Sequence, residues 1–535
     1  MRREDQERAV EEVVNRTIER VVGRGSQALE GALADTIYWE LDRLKKAKPG
    51  KQKQQEQALY ERCRRQVLRG SDGQRQAALR EIVSFFAREI LGNFDPRVHA
   101  VATRAVPFGL KTLLNATSPR QLIEWRGAGG VDLSEHLRVD GELEHALALR
   151  DRGTLIFAPT HSSNLDSIVL GYGMHEAGFP PLLYGAGLNL FENPLMSFFM
   201  HNLGAYTVDR RKKAPLYKDV LKEYATVSLE LGYHNLFFPG GTRSRGGALE
   251  QRLKLGLLGT GLAAYGNNLR AGRARPKVFV IPLVLSFDLV LEAETLIDDF
   301  LRETGRSRYI ITDDEFASPR RIYQFLRGLL ELDTHIHLTL MEPLDPFGNR
   351  VDREGRSLDG RGREITIERY LMDARGELTR DEDRDGEYTR ELGRHVAAAY
   401  LRGNTVMPTH VAAFALFEHL RRLNPGLDLY RFLRTGGTTE SVSFAEAVRA
   451  VAAVRDRLQE LADRGAVRLG ERAAKNDPEE VLLLALRAFG TYHTRPALER
   501  SGDRVYHRDP NLLYYYRNRL LGYELERTAP EKAAV

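Results

Sequence analysis

The 535-residue sequence predicts an α/β protein in which a mainly buried sheet, flanked by helices, lies between helical N-terminal and C-terminal regions. Two observations carry this. Between residues 101 and 350, short apolar runs such as TLIFAP (154–159), NLFFPGG (235–241) and VFVIPLVLS (278–286) alternate with longer helical patterns. Runs of that length, bounded by glycine and proline, read as strands buried on both faces. Toward the two ends, apolar residues instead recur at three- or four-residue spacing, the mark of one buried helical face.

In residues 1–100, Leu29, Leu33, Ile37, Leu41 and Leu44 form such a face. The basic run RLKKAKPGKQKQQ (43–55) breaks the pattern at Pro49-Gly50. It reads either as a solvated linker or as a contact for anionic lipid head groups. A second helical stretch reaches FFAREILG (85–92), and the sheet region follows over 101–350. Residues 351–390 are charged and contain glycine, as an exposed excursion or linker would be. From 391 to 535 the chain turns helical again, with Phe444, Val448, Val451, Leu458 and Leu461 lining one face.

Composition narrows the classes. The formal charge is +5, from 79 basic and 74 acidic residues, so the basic bias is mild. No internal repeat, no GxGxxG or GxxxxGK[ST] loop and no aromatic–basic platform is present, which argues against a nucleic-acid binder. The single cysteine, Cys63, excludes an internal disulfide and a cysteine-based zinc site. The start MRREDQERAVEEVV lacks the apolar core of a signal peptide. The greasiest stretches, 278–293 and 407–417, are too short or too interrupted to span a bilayer. A spanning protein is not expected; a peripheral one is compatible.

Four blocks carry chemistry. In APTHSSNLDSIVLGYG (158–173), His161 and Asp166 follow an apolar run. Five helical positions amount to about 500°, so a continuous helix would put the pair on different faces. A turn rich in capping residues could instead bring the carboxylate beneath the imidazole, fix its tautomer and leave the other nitrogen as a base. A local hydrogen-bonded pair with no catalytic task fits HxxxxD equally well. In GAYTVDRRKK (204–213) four cations follow a small-residue and aromatic lead-in, and Arg210 is the one expected to turn inward. In FFPGGTRSRGG (237–247), Gly240 and Gly241 permit a tight turn or close approach to a ligand. Arg243 and Arg245 flank Ser244 and could converge on a phosphate; an exposed surface turn is the alternative. The fourth block, VIPLVLSFD, reads as a core strand running into a loop.

In order and spacing, these blocks resemble the motifs of the glycerol-3-phosphate acyltransferases, within the phospholipid acyltransferase superfamily. HSSNLD (161–166) looks like the HX4D motif, GAYTVDR (204–210) like the second, FPGGTRSR (238–245) like the third and VIP (280–282) like the fourth. The likeness extends through SFDLVLEAETL (286–296) and HLTLMEPLDPF (337–347). The resemblance implies an acyltransferase core in which His161 acts as general base on the sn-1 hydroxyl of glycerol 3-phosphate and Asp166 orients it. Arg210, Arg243 and Arg245, with Ser244 and Gly241, would bind the acceptor, and Pro282 would shape the pocket wall. The donor would be acyl-CoA or an acyl carrier protein thioester, and no cofactor or metal is expected. The family's chemistry implies a peripheral position on the cytoplasmic side of the cell membrane. Residues 187–200 (GLNLFENPLMSFFM) would line an acyl path or simply pack in the core. One departure stands out: the third motif usually carries a glutamate where this chain has Gly240. Acylation of dihydroxyacetone phosphate or a lysophospholipid, and a non-catalytic lipid binder of the same fold, are the alternatives.

Overall fold

A computed structural model describes residues 1–95, 97–98, 137–187, 202–304 and 336–527. Residues 188–200 of the apolar stretch named above lie outside them.

Four helices open the chain: α1 (Arg3–Val22), α2 (Ser26–Lys46), α3 (Lys51–Arg69) and α4 (Asp72–Ile90). The basic run is therefore a break of only residues 47–50, and its later lysines begin α3. The core region then runs β1 (Leu137–Gly141), β2 (Thr154–Pro159), α5 (Asp166–Glu176), β3 (Leu183–Gly187), β4 (Ala205–Val208), α6 (Pro215–Glu230), β5 (Asn235–Leu236), α7 (Thr260–Arg270), β6 (Val278–Ser286), α8 (Ala293–Thr304) and β7 (Ile336–Leu340). These strands form one seven-stranded sheet in the order β1-β7-β6-β2-β5-β3-β4. All neighbours are parallel except β6 and β7.

The sheet explains why its strands read as continuous apolar runs. Successive residues of a strand point to opposite faces. In β2, Leu155 and Phe157 enter one core while Ile156 and Ala158 enter another. In β6, Phe279, Ile281, Leu283 and Leu285 join the first core, and Val278, Val280 and Val284 the second. With both faces covered, no position along these strands needs a polar residue.

Residues 350–365 form a small three-stranded antiparallel sheet. Ile367 and Leu371 beyond it pack into the second core, as does α9 (Glu382–Gly403) through Leu392, Val396 and Tyr400. The C-terminal region is built around α10 (Pro408–Leu423), whose residues 408–417 are all buried. It packs against α11 (Phe444–Asp463), α12 (Pro478–Phe489) and α13 (Pro510–Arg517) in the first core. A helix apolar all round is thus accounted for by burial inside protein. Among the described residues, no helix is long and apolar enough to cross a membrane.

The N-terminal helices share a third core with α6 and with Leu183 and Tyr206 of the sheet. A buried cation seals it. Lys212 Nζ lies 3.3 Å from Glu40 Oε2 and 2.7 Å from Glu89 Oε2, and 4.8 Å from the centroid of the Phe86 ring. Removing one partner of a buried pair leaves the others uncompensated. Lys212→Ala should therefore lower the unfolding free energy by about 3 kcal/mol in denaturant titration, whereas truncating exposed Lys213 should change it little.

Candidate active site

The blocks meet at one edge of the sheet. His161 follows the C-terminal end of β2, Arg210 that of β4, and the turn from Phe238 that of β5. Crevices outside the carboxyl ends of parallel strands are where such sheets bind ligands.

The turn from β2 into α5 places Asp166 as the first residue of the helix, fully buried. Its Oδ2 accepts the main-chain N–H groups of Ser162 at 2.6 Å and Ser163 at 3.0 Å. The same oxygen lies 2.9 Å from His161 Nδ1. An oxygen already accepting two amides takes a third donor, so Nδ1 carries the proton and Nε2 keeps its lone pair. Nε2 has no hydrogen-bond partner among the described residues. The imidazole stacks on Phe238, with ring centroids 3.9 Å apart, which holds its plane.

The third block is laced to this turn. Ser244 N donates to the His161 carbonyl at 2.7 Å, and Ser244 Oγ donates to the Ala248 carbonyl at 2.6 Å. Buried Glu292 joins the two blocks: it accepts from Ser163 Oγ at 2.7 Å, Asn164 N at 3.0 Å and Arg243 Nη1 at 3.2 Å. Arg245 pairs with Glu303. Gly241 sits at φ +78°, the left-handed region that favours glycine, and a Cβ there would come within 2.7 Å of Lys254 Nζ. Pro282 lies in β6 opposite Ala158, so the fourth block reaches the site through the sheet register, and its carbonyl accepts from Met341 N.

The second block differs from the expectation for Arg210. Arg210 is exposed, and Lys212 is the residue that turns inward. The reason is the buried carboxylate pair of the N-terminal helices, which only a long, flexible ammonium side chain reaches. The head group of Arg210 nevertheless sits near the third block. Partial desolvation, and then the like charges of Arg243 and Arg245, lower its pKa. Lys254 is lowered likewise, by desolvation and then by Arg210. Four cations thus share one neighbourhood. Cations held together against their own repulsion favour a multiply charged anion.

Sequence reasoning missed four residues here: Lys254, Glu250, Glu292 and Arg519. Glu292 was within reach, since it lies in the SFDLVLEAETL stretch. Glu250 and Lys254 follow the third block closely, but nothing local marks them. Arg519, in the C-terminal stretch LLYYYRNRLLGY, is buried beneath the site. It bonds Asn404 Oδ1 at 2.7 Å, the Leu285 carbonyl at 2.5 Å and Ser162 Oγ at 3.3 Å. His234 is buried and accepts from Leu155 N; its pKa falls to about 4, chiefly through desolvation. Among the described residues no cluster could hold a metal ion.

Burial pushes the Glu250 carboxyl up to about 7 from 4.5, against the bond it accepts from His161 N–H. A raised folded-state pKa supplies stability fully present below 4.5 and lost as pH rises through 7. Glu250→Gln removes that titration. The melting temperature of the variant relative to wild type should therefore rise between pH 4.5 and pH 7.5, as thermal unfolding across that range would show.

The acyltransferase family profile matches residues 140–286, the segment that holds the first three blocks and the VIP of the fourth. The chain is 32% identical over 160 residues to a glycerol-3-phosphate acyltransferase of Aeromonas hydrophila, covering 30% of this chain and 19% of that protein. It is 28% identical over 271 residues to one of Pseudomonas fluorescens Pf-5, covering 50% and 28%. With one of Xanthomonas axonopodis it shares 32% over 155 residues, covering 29% and 16%. The chain thus spans less than a third of the length of these curated relatives. Residues 140–286 thus match the acyltransferase family, and over that segment and its flanks the chain is similar to glycerol-3-phosphate acyltransferases.

Proposed function

We propose that the protein is a glycerol-3-phosphate 1-O-acyltransferase. The observation that carries the reading is the single edge at which a tautomer-fixed histidine faces a cluster of cations. A hydroxyl is a poor nucleophile at neutral pH, so a positioned base is the first requirement. Nε2 of His161 takes the proton of the sn-1 hydroxyl as its oxygen attacks the thioester carbonyl. Asp166 keeps Nδ1 protonated and offsets the charge that develops on the imidazolium. Collapse of the tetrahedral intermediate expels the thiolate, which takes up a proton, and leaves 1-acylglycerol 3-phosphate.

Arg210, Arg243 and Arg245, with Ser244 and the open turn at Gly241, hold the phosphate dianion. Arg243 and Arg245 rest on Glu292 and Glu303. The phosphate competes with these carboxylates, as planar guanidinium forks suit paired oxygens on either partner. Pro282 lends rigidity to the strand behind the turn and takes no part in chemistry. The donor is a fatty acyl thioester of coenzyme A or acyl carrier protein. One substrate and the product are amphiphiles, so the mouth of the site would work against the cytoplasmic face of the cell membrane as a peripheral contact.

The test is thiol release from palmitoyl-CoA by the purified chain in detergent or vesicles, with and without glycerol 3-phosphate, the product being identified by mass. Release should depend on the acceptor and fall by roughly 10²–10⁴-fold in His161→Ala, the range general acid–base assistance contributes. Full turnover in that variant would refute the mechanism. Arg243→Ala should act chiefly on acceptor capture, raising KM for glycerol 3-phosphate by roughly tenfold or more. An unchanged KM would point to an acceptor without phosphate.

A further inference from the structure

The resemblance implies a glutamate where this chain has Gly240, and another carboxylate, Glu250, occupies the space beside it. A Cβ added at Gly240 would meet Glu250 Cγ at 2.8 Å, Oε1 at 3.0 Å and Cδ at 3.3 Å. The side chain of Glu250 therefore fills the volume that any side chain at 240 would enter first. A side chain at 240 would require Glu250 to shift from this position.

Glu250 also touches the reacting turn. Its Oε1 accepts the main-chain N–H of His161 at 2.8 Å, while the His161 carbonyl accepts from Ser244 N at 2.7 Å. Both polar groups of the His161 main chain are thus held by the segment that follows β5. The imidazole direction depends on three restraints: the Asp166 oxygen on Nδ1, the Phe238 ring on its face, and this pair of main-chain bonds.

We propose that Glu250 is a positioning residue for acyl transfer, supplying from a different point in the chain the carboxylate missing at Gly240 and fixing the His161 turn through its amide. The proposal rests on the acyltransferase reading above. Its role is geometric. A carboxyl presents an acceptor oxygen to the amide in either protonation state, so the bond does not require charge. A glutamine can make it and an alanine cannot. A glutamate restored at 240 competes with Glu250 for one space and succeeds only when Glu250 is shortened.

The experiment compares wild type, Glu250→Gln, Glu250→Ala, Gly240→Glu and the double variant Gly240→Glu/Glu250→Ala of the full chain, with His161→Ala as the null. Each is assayed for glycerol-3-phosphate-dependent thiol release from palmitoyl-CoA, with thermal unfolding to confirm folding. Glu250→Ala should lower kcat by roughly 10²-fold with little change in KM, the scale at which a misplaced reacting group slows turnover. Glu250→Gln should stay within about threefold of wild type, since it keeps the acceptor. Gly240→Glu should be impaired, and the double variant should recover at least about tenfold over either single change. Were Glu250→Ala unfolded, the glutamine and double variants would decide. Unchanged kcat in Glu250→Ala, a loss confined to KM, or a double variant no better than its parents would overturn the proposal. Wild-type protein without acyl transfer would instead overturn the acyltransferase reading, and the proposal with it.

Discussion

The site rests on one carboxylate that has no contact with water. Asp166 is wholly buried, and an isolated buried charge is costly unless donors surround it. One of its oxygens collects two amides and the imidazole of His161, at the first residue of a helix, where the dipole also favours negative charge. Those donors converge only if residues 161–166 keep one tight path between β2 and α5. The turn is therefore stiff for the same reason that the carboxylate is tolerated. Because the histidine is part of the solution, its tautomer is settled by the folding of the turn.

The rest of the fold is arranged around that edge. With the sheet buried on both faces, polar groups are excluded from its middle and collect where the strands end. The flanking regions then hold the loops from outside. Lys212 ties the segment after Arg210 to the N-terminal helices through Glu40 and Glu89. Tyr400 of α9 donates to the Ala158 carbonyl at the end of β2. Arg519 reaches beneath the site to Ser162 and the end of β6. Burial lowers the pKa of Arg519, and the charges of Glu250 and Asp166 oppose that effect. The helical regions are thus part of the site's support.

The acceptor side uses charge differently. Arg243 and Arg245 act on Arg210 as like charges, as Arg210 does on Lys254, and Arg243 rests on a fully buried counter-charge, Glu292. Holding like charges together is unfavourable, and a nearby anion would relieve it. Glu292 also binds Ser163 and the amide of Asn164, so it links the arginine to the base-bearing turn. The cation cluster and the placement of His161 are in this way mechanically connected.

The sequence by itself determined the classes of structure and the reactive types. The runs at 154–159 and 278–286 read as strands buried on both faces, and in the structure their successive residues enter two different apolar cores. The capping residues of THSSNLD suggested a turn that could bring Asp166 to His161, and the structure makes that contact. Tertiary structure decided what depends on distant partners. Among the four cations of 210–213, the inward one is set by Glu40 and Glu89, far away in the chain, so local pattern could not reveal Lys212. Glu250, Glu292 and Arg519 were equally hidden, since each gains its place from main-chain amides and carbonyls that sequence does not position. Gly240 shows the difference most directly. In sequence it is a lost carboxylate; in space it is room for another one, because hydrogen bonding follows position and not order along the chain.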